Sequence, residues 1–176
     1  MRNTFFLLSM QLVCFAITAQ KNSLPYVASD GSYFLLTWDE QTGSSKIYAF
    51  DEEYERFELF HSQLPSNPTG DVGRYGFIPY IDGDNLDCIL TWNKLTGTSK
   101  LFYYDEDEGR LMVSKYQLPK NPTGEVGEFH FSPFVDFDGM EFILISNTKT
   151  GTNKLYQLDL DVNRYMPSPH KLPKSE

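Results

Sequence analysis

Residues 88–105 read CILTWNKLTGTSKLFYYD. An apolar run, Cys88 to Trp92, gives way to Thr96-Gly97, and a second such run follows from Leu101 to Tyr104. Two runs of this kind joined through a glycine read as a β-hairpin, because glycine enters the left-handed conformation that short hairpin loops require. The stretch recurs 54 residues earlier as FLLTWDEQTGSSKIYAFD (34–51) and 54 residues later as FILISNTKTGTNKLYQLD (142–159). A fixed repeat of about this length marks an architecture in which each unit buries a face against the next.

Extending outward from the hairpin gives three units, 25–78, 79–132 and 133–176, aligned without gaps, of which the first two agree at 23 of 54 positions. Each opens on a proline (Pro25, Pro79, Pro133) and passes through Leu64-Pro65, Leu118-Pro119 or Leu172-Pro173; the third lacks the stretch equivalent to 123–132. A short first strand is expected at the opening proline, as in Pro79-Tyr80-Ile81, since proline suits a strand start. The second strand is Tyr33 to Trp38, Cys88 to Trp92 or Phe142 to Ile145, and its continuous apolar character predicts burial on both faces. The third follows Lys46, Lys100 or Lys154, and the fourth follows Arg56, Arg110 or Arg164. Before those arginines stand Glu55, Gly109 and Asn163; a left-handed turn suits the last two and strains the first. No stretch carries a helical apolar period with caps. The reading is all-β: three tandem 54-residue four-stranded meander repeats, propeller-blade-like, with a β-trefoil as the alternative. Three blades are fewer than the roughly four to eight usual in a closed propeller.

Residues 1–19 read as a signal peptide: Arg2 supplies the positive end, Phe5 to Ile17 the apolar stretch, and Ala19 the small residue before a cut. The apolar stretch is shorter than the ~20 residues that cross a bilayer, so no membrane span is expected. A secreted or periplasmic protein follows, with residues 20–176 as a single repeat domain. The formal net charge of −9 argues against nucleic acid and anionic membranes as partners. Beyond the leader, which contains Cys14, one cysteine remains. Cys88 therefore has no internal disulfide partner and reads as a small buried hydrophobe.

The residues before the second strand carry a family resemblance. Asp82-Gly83-Asp84-Asn85-Leu86-Asp87-Cys88-Ile89-Leu90 and Asp136-Phe137-Asp138-Gly139-Met140-Glu141-Phe142-Ile143 resemble FG-GAP/VCBS-type β-propeller repeats, which combine an acidic loop with an Asp-apolar-apolar strand. The resemblance implies an extracellular propeller that binds proteins, glycans or surfaces, with Ca²⁺ held in the acidic loop. Asp82, Asp84 and Asp87, and likewise Asp136, Asp138 and Glu141, supply carboxylates of the kind calcium requires. The other reading is an Asp-rich turn whose side chains bond local backbone N–H groups. Unit one has Ala28 and Tyr33 at acidic positions of the other units.

Trp38 and Trp92 end the second strand in units one and two, and Ser146 replaces them in unit three. Tryptophan either stacks on a sugar ring or packs between units with its N–H on a loop carbonyl. His61, His130 and His170 occupy different positions in their units, no Ser-His-Asp or Cys-His arrangement follows from spacing, and no catalytic residue is assigned. The function expected is a secreted non-enzymatic binding module for an extracellular protein or glycan. The alternatives are a trefoil-type carbohydrate-binding lectin and an extracellular polysaccharide hydrolase. Because three blades leave exposed edges, a homodimer completing a six-bladed assembly is expected.

Overall fold

A computed structural model of the chain describes residues 22–170 and 172. The leader, with Arg2, Cys14 and the cut after Ala19, lies outside the described residues, as does Pro173. The described residues form three antiparallel sheets, one per unit, each a four-stranded meander. The first holds β1 (Asn22–Val27), β2 (Tyr33–Trp38), β3 (Ser45–Asp51) and β4 (Arg56–Leu59). The second holds β5 (Tyr75–Ile81), β6 (Asp87–Asn93), β7 (Ser99–Asp105) and β8 (Arg110–Val113). The third holds β9 (Phe129–Val135), β10 (Glu141–Asn147), β11 (Thr152–Asp159) and β12 (Arg164–Pro167). Within each sheet the strands pair in chain order, and no ladder of strands joins one sheet to another. Each unit is thus a self-contained blade. No helix among the described residues is long and apolar enough to cross a membrane.

The first strand of a unit is longer than its proline suggests. β5 and β9 run for seven residues, and Pro79 pairs with Ile89 in mid-strand rather than opening it. The physical reason is position. These strands lie at a sheet edge, where proline's missing N–H can face away from the ladder. The turns keep their expected conformations, with φ of 70°, 72° and 74° at Gly43, Gly97 and Gly151. The β3–β4 turn and its equivalents are left-handed in every copy, at Glu55 (φ 50°), Gly109 (φ 63°) and Asn163 (φ 50°).

The sheets stack face to face around two cores. Leu36 and Ile47 of the first sheet meet Phe77, Ile89 and Phe102 of the second. Leu90, Trp92 and Leu101 of the second meet Phe131, Ile143 and Tyr165 of the third. β6 lies between both cores, and every residue from Cys88 to Asn93 is buried. Residues such as Leu36, Leu90 and Ile143 are fully buried, each contributing roughly 1.5–3 kcal/mol. Two-sided burial therefore holds fully for the middle unit, whereas β10 alternates and leaves Leu144 and Ser146 half-buried.

At the hairpin end the units are tied by main chain and by charge. Tyr75 N–H donates to Glu40 O at 2.8 Å, and its repeat partner Phe129 N–H donates to Lys94 O at 2.7 Å. Arg74 pairs with Glu40 and reaches Glu128 at 2.9 Å, while Lys94 lies 3.0 Å from Glu40. Burial pushes the Glu40 carboxyl up, but hydrogen bonds and charge from Lys94 and Arg74 outweigh it and leave its pKa lowered.

Candidate functional site

The two inter-sheet spaces are built from the same repeat positions, and they differ in what fills them. Between the second and third sheets stand Asp82, Tyr103 and Tyr165; the equivalents between the first and second are Ala28, Ala49 and Leu111. Tyr165 is 2% exposed and its hydroxyl donates to Glu141 Oε2 at 2.7 Å. Tyr103 packs against the same core. Loss of two phenol rings and one carboxylate leaves a cleft of about 360 Å³ between the first and second sheets. A small-for-large exchange in a packed interface opens space that the backbone only partly closes.

One wall of the cleft is aromatic. Tyr26 on β1 and Phe34 on β2 are cross-strand partners whose rings stack at 5.3 Å with 16° between their planes. Phe60, just past β4, meets Phe34 edge-on at 5.2 Å and lies 5.6 Å from Tyr104 of β7. Behind them His61 packs on Phe60 at 4.3 Å, and its Nε2 lies 3.0 Å from Gly109 O. The facing wall is aliphatic, formed by Pro79, Ile81, Ile89 and Leu111.

Carboxylates complete the lining. Asp87 opens β6, and its two oxygens accept from Ser29 N–H at 2.8 Å and Ser29 Oγ at 3.2 Å. That pair bridges the sheets. Asp30 in the β1–β2 turn accepts from Ser32 N–H at 2.8 Å and Ser32 Oγ at 2.9 Å. Glu106, exposed in the β7–β8 turn, stands on the same lining. Burial raises the Tyr26 pKa, and the negative charge of Asp87 raises it further, so its hydroxyl stays protonated at any physiological pH. The cleft thus offers ring faces, a phenol and acceptor oxygens.

Of the six acids singled out in the sequence, Asp82 and Asp84 lie near enough to Glu141 to act on its pKa, while Asp87 turns the other way. Asp82 Oδ1 accepts from Asp84 N–H at 3.0 Å and Leu86 N–H at 2.8 Å, and its Oδ2 faces Cys88 Sγ at 3.5 Å. Asp136 Oδ1 repeats the turn, accepting from Asp138 and Met140 N–H at 3.0 and 2.9 Å. Asp84 and Asp138 are exposed at the turn tips. Asp87 points toward the first sheet, whereas Glu141 is buried against the second. Among the described residues no three His, Cys, Asp or Glu side chains gather in a metal-binding group. Cys88 is a free, buried thiol whose pKa is pushed well up by burial and then by the Asp82 charge.

Trp92 is 3% exposed, lies against Gly76 and Phe131, and donates Nε1–H to Phe129 O at 2.9 Å. Trp38 repeats the ring contact, with Phe77 at 5.6 Å. Both rings face protein cores, Trp92 against the third sheet and Trp38 against the second. Of the acids singled out in the sequence, only Asp87 lines the cleft. Tyr26, Phe34, Phe60 and Tyr104 escape a sequence reading because aromatic residues are frequent on every strand. The available signal was the departure of Ala28 and Ala49 from Asp82 and Tyr103.

No family model and no curated protein matches the chain. Among solved structures, the chain is similar to a fucose lectin from Kordia zhangzhouensis in complex with methyl-fucoside. The two are 12% identical with a TM-score of 0.48, and the match covers 86% of this chain and 100% of that one.

Proposed function

We propose that this chain is a non-enzymatic carbohydrate-binding module, exported from the cell, and that the cleft between its first and second sheets holds a neutral saccharide. The observation that carries the reading is the contrast between the two interfaces. The same repeat positions that close one with Tyr103 and Tyr165 leave the other open beside a stacked aromatic pair. A cleft of about 360 Å³ lies in the range of small-molecule sites, roughly 300–1,000 Å³. A sugar ring has an apolar C–H face that suits Tyr26 and Phe34, while its hydroxyls donate to carboxylate oxygens. The charged groups on the lining, Asp30, Asp87 and Glu106, are all carboxylates, which disfavours uronic, sialic and sulfated sugars by like-charge repulsion.

The test is a glycan array read with the native chain and with a variant filled like the second interface, Ala49→Tyr with Leu111→Tyr. The native chain is expected to retain neutral glycans, and the filled variant to lose them while keeping its melting temperature. Removing one rim carboxylate by Asp30→Ala or Glu106→Ala is expected to weaken binding about 10-fold or more, the worth of a hydrogen bond to a charged group. Unchanged binding by the filled variant overturns the site. Release of reducing sugar from a polysaccharide panel overturns the non-enzymatic reading.

A further inference from the structure

The open cleft and the filled interface differ in their rings as well as in their volume. Tyr26, Phe34, Phe60 and Tyr104 line the cleft, whereas the same repeat positions at the filled interface hold Tyr80, Cys88, Ser114 and Leu158. Four rings thus stand where the neighbouring interface has one. They form a continuous series: Tyr26 on Phe34 at 5.3 Å, Phe34 on Phe60 at 5.2 Å and Phe60 on Tyr104 at 5.6 Å. All four are half-buried, which leaves ring surface to a ligand. Packing of the sheets does not call for them, since the other interface closes without them.

The charge on the lining has one sign. Asp30, Asp87 and Glu106 are its charged residues, and no lysine, arginine or histidine joins them. Ser32 and Ser29, which hydrogen-bond Asp30 and Asp87, are neutral donors and leave the carboxylate charge in place. Among the described residues none of these three acids is ion-paired. At the hairpin end, by contrast, Glu40 is matched by both Arg74 and Lys94.

The face of an aromatic ring is negative and attracts a cation above it, the more so where water is excluded. Uncompensated carboxylates between low-dielectric walls act in the same direction. The facing wall decides which cation fits. Pro79, Ile81, Ile89 and Leu111 offer no side-chain acceptor, so the N–H groups of a primary ammonium or a guanidinium would lie unpaired against them. N-methyl groups need no acceptor and pack on an aliphatic wall.

We propose that the cleft is a binding site for a methylated alkylammonium cation, a trimethylammonium group on a molecule that carries no anionic group of its own. The rings and the aliphatic wall enclose the methyl groups, and Asp30, Asp87 and Glu106 supply the counter-charge. A zwitterion such as phosphocholine is disfavoured, because its phosphate meets the same carboxylates. This ligand class lies beyond the saccharide reading and does not depend on it.

The experiment is calorimetric titration of the purified chain with choline, phosphocholine and the uncharged isostere of choline in which tert-butyl replaces trimethylammonium. Choline is expected to bind about 10-fold or more tightly than either of the others, the worth of a desolvated cation–π contact with its counter-charge. Phe60→Leu, which keeps an apolar side chain but removes a ring, is expected to weaken choline about 3-fold or more and the isostere by less. Glu106→Gln, in an exposed turn, is expected to act in the same way through charge. Ala49→Tyr with Leu111→Tyr is expected to abolish choline binding with the melting temperature kept. No choline binding, or an isostere or phosphocholine that binds as tightly as choline, overturns the proposal, and choline retained by the filled variant overturns the site. Choline bound by a chain that retains no glycan sustains this proposal and sinks the saccharide reading.

Discussion

At one repeat position the three units carry Tyr33, Asp87 and Glu141, and the two acids meet opposite fates. Asp87 is half-buried at the wall of the cleft and bridges to Ser29. Glu141 is buried, and desolvation raises its pKa, with the charges of Asp82 and Asp84 adding to it; hydrogen bonds from Tyr165 and Gly83 pull the other way. A carboxyl whose folded pKa is raised stabilises the fold below its unfolded pKa, and that contribution is lost as pH rises through the folded value. Glu141→Gln keeps an acceptor for Tyr165 and removes the charge. Urea titrations of variant and native chain are therefore expected to diverge in the variant's favour as pH climbs above 4.5, the ordinary value. A difference that does not change with pH would refute this account. The sequence shows the acid but not its surroundings, because the residue that buries it, Tyr165, lies 24 positions away on another strand.

Among the elements, the turns were the most legible. Thr-Gly hairpins and the glycine and asparagine before each fourth strand follow from backbone sterics alone. Glu55 shows the same rule by breaking it, since it holds φ 50° without the freedom of glycine or the tolerance of asparagine. A left-handed conformation costs an ordinary residue about 1 kcal/mol. Glu55→Asn, which installs the residue of unit three, is expected to raise stability by up to that amount and the melting temperature by about 2–4 °C. No change, or a fall, in a thermal scan would show that the turn relaxes at no cost. Strand length was less legible than turn type. Proline by itself predicts a strand start, yet an edge strand accommodates it at Pro79 in mid-strand.

In the whole molecule the middle sheet is the shared wall of two cores, and local stability should follow. Native-state hydrogen exchange is expected to be slowest in β6 and fast in β8; equal rates in the two would contradict the stack. The all-β repeat and the burial of β6 were readable from the apolar run at 88–92. The cleft was not, because it is made by what Ala28, Ala49 and Leu111 fail to occupy, and small residues announce nothing by themselves.

That inequality of the interfaces bears on how the chain finds its order. Tandem units of similar sequence risk docking out of sequence during folding, since each resembles its neighbour. Here a swapped pairing would drive Tyr103 or Tyr165 against a wall shaped for another partner, or set Ala49 opposite Tyr165. Overpacking of that kind costs typically 1–3 kcal/mol. The open and filled interfaces thus act as addresses that tell each blade which face to accept.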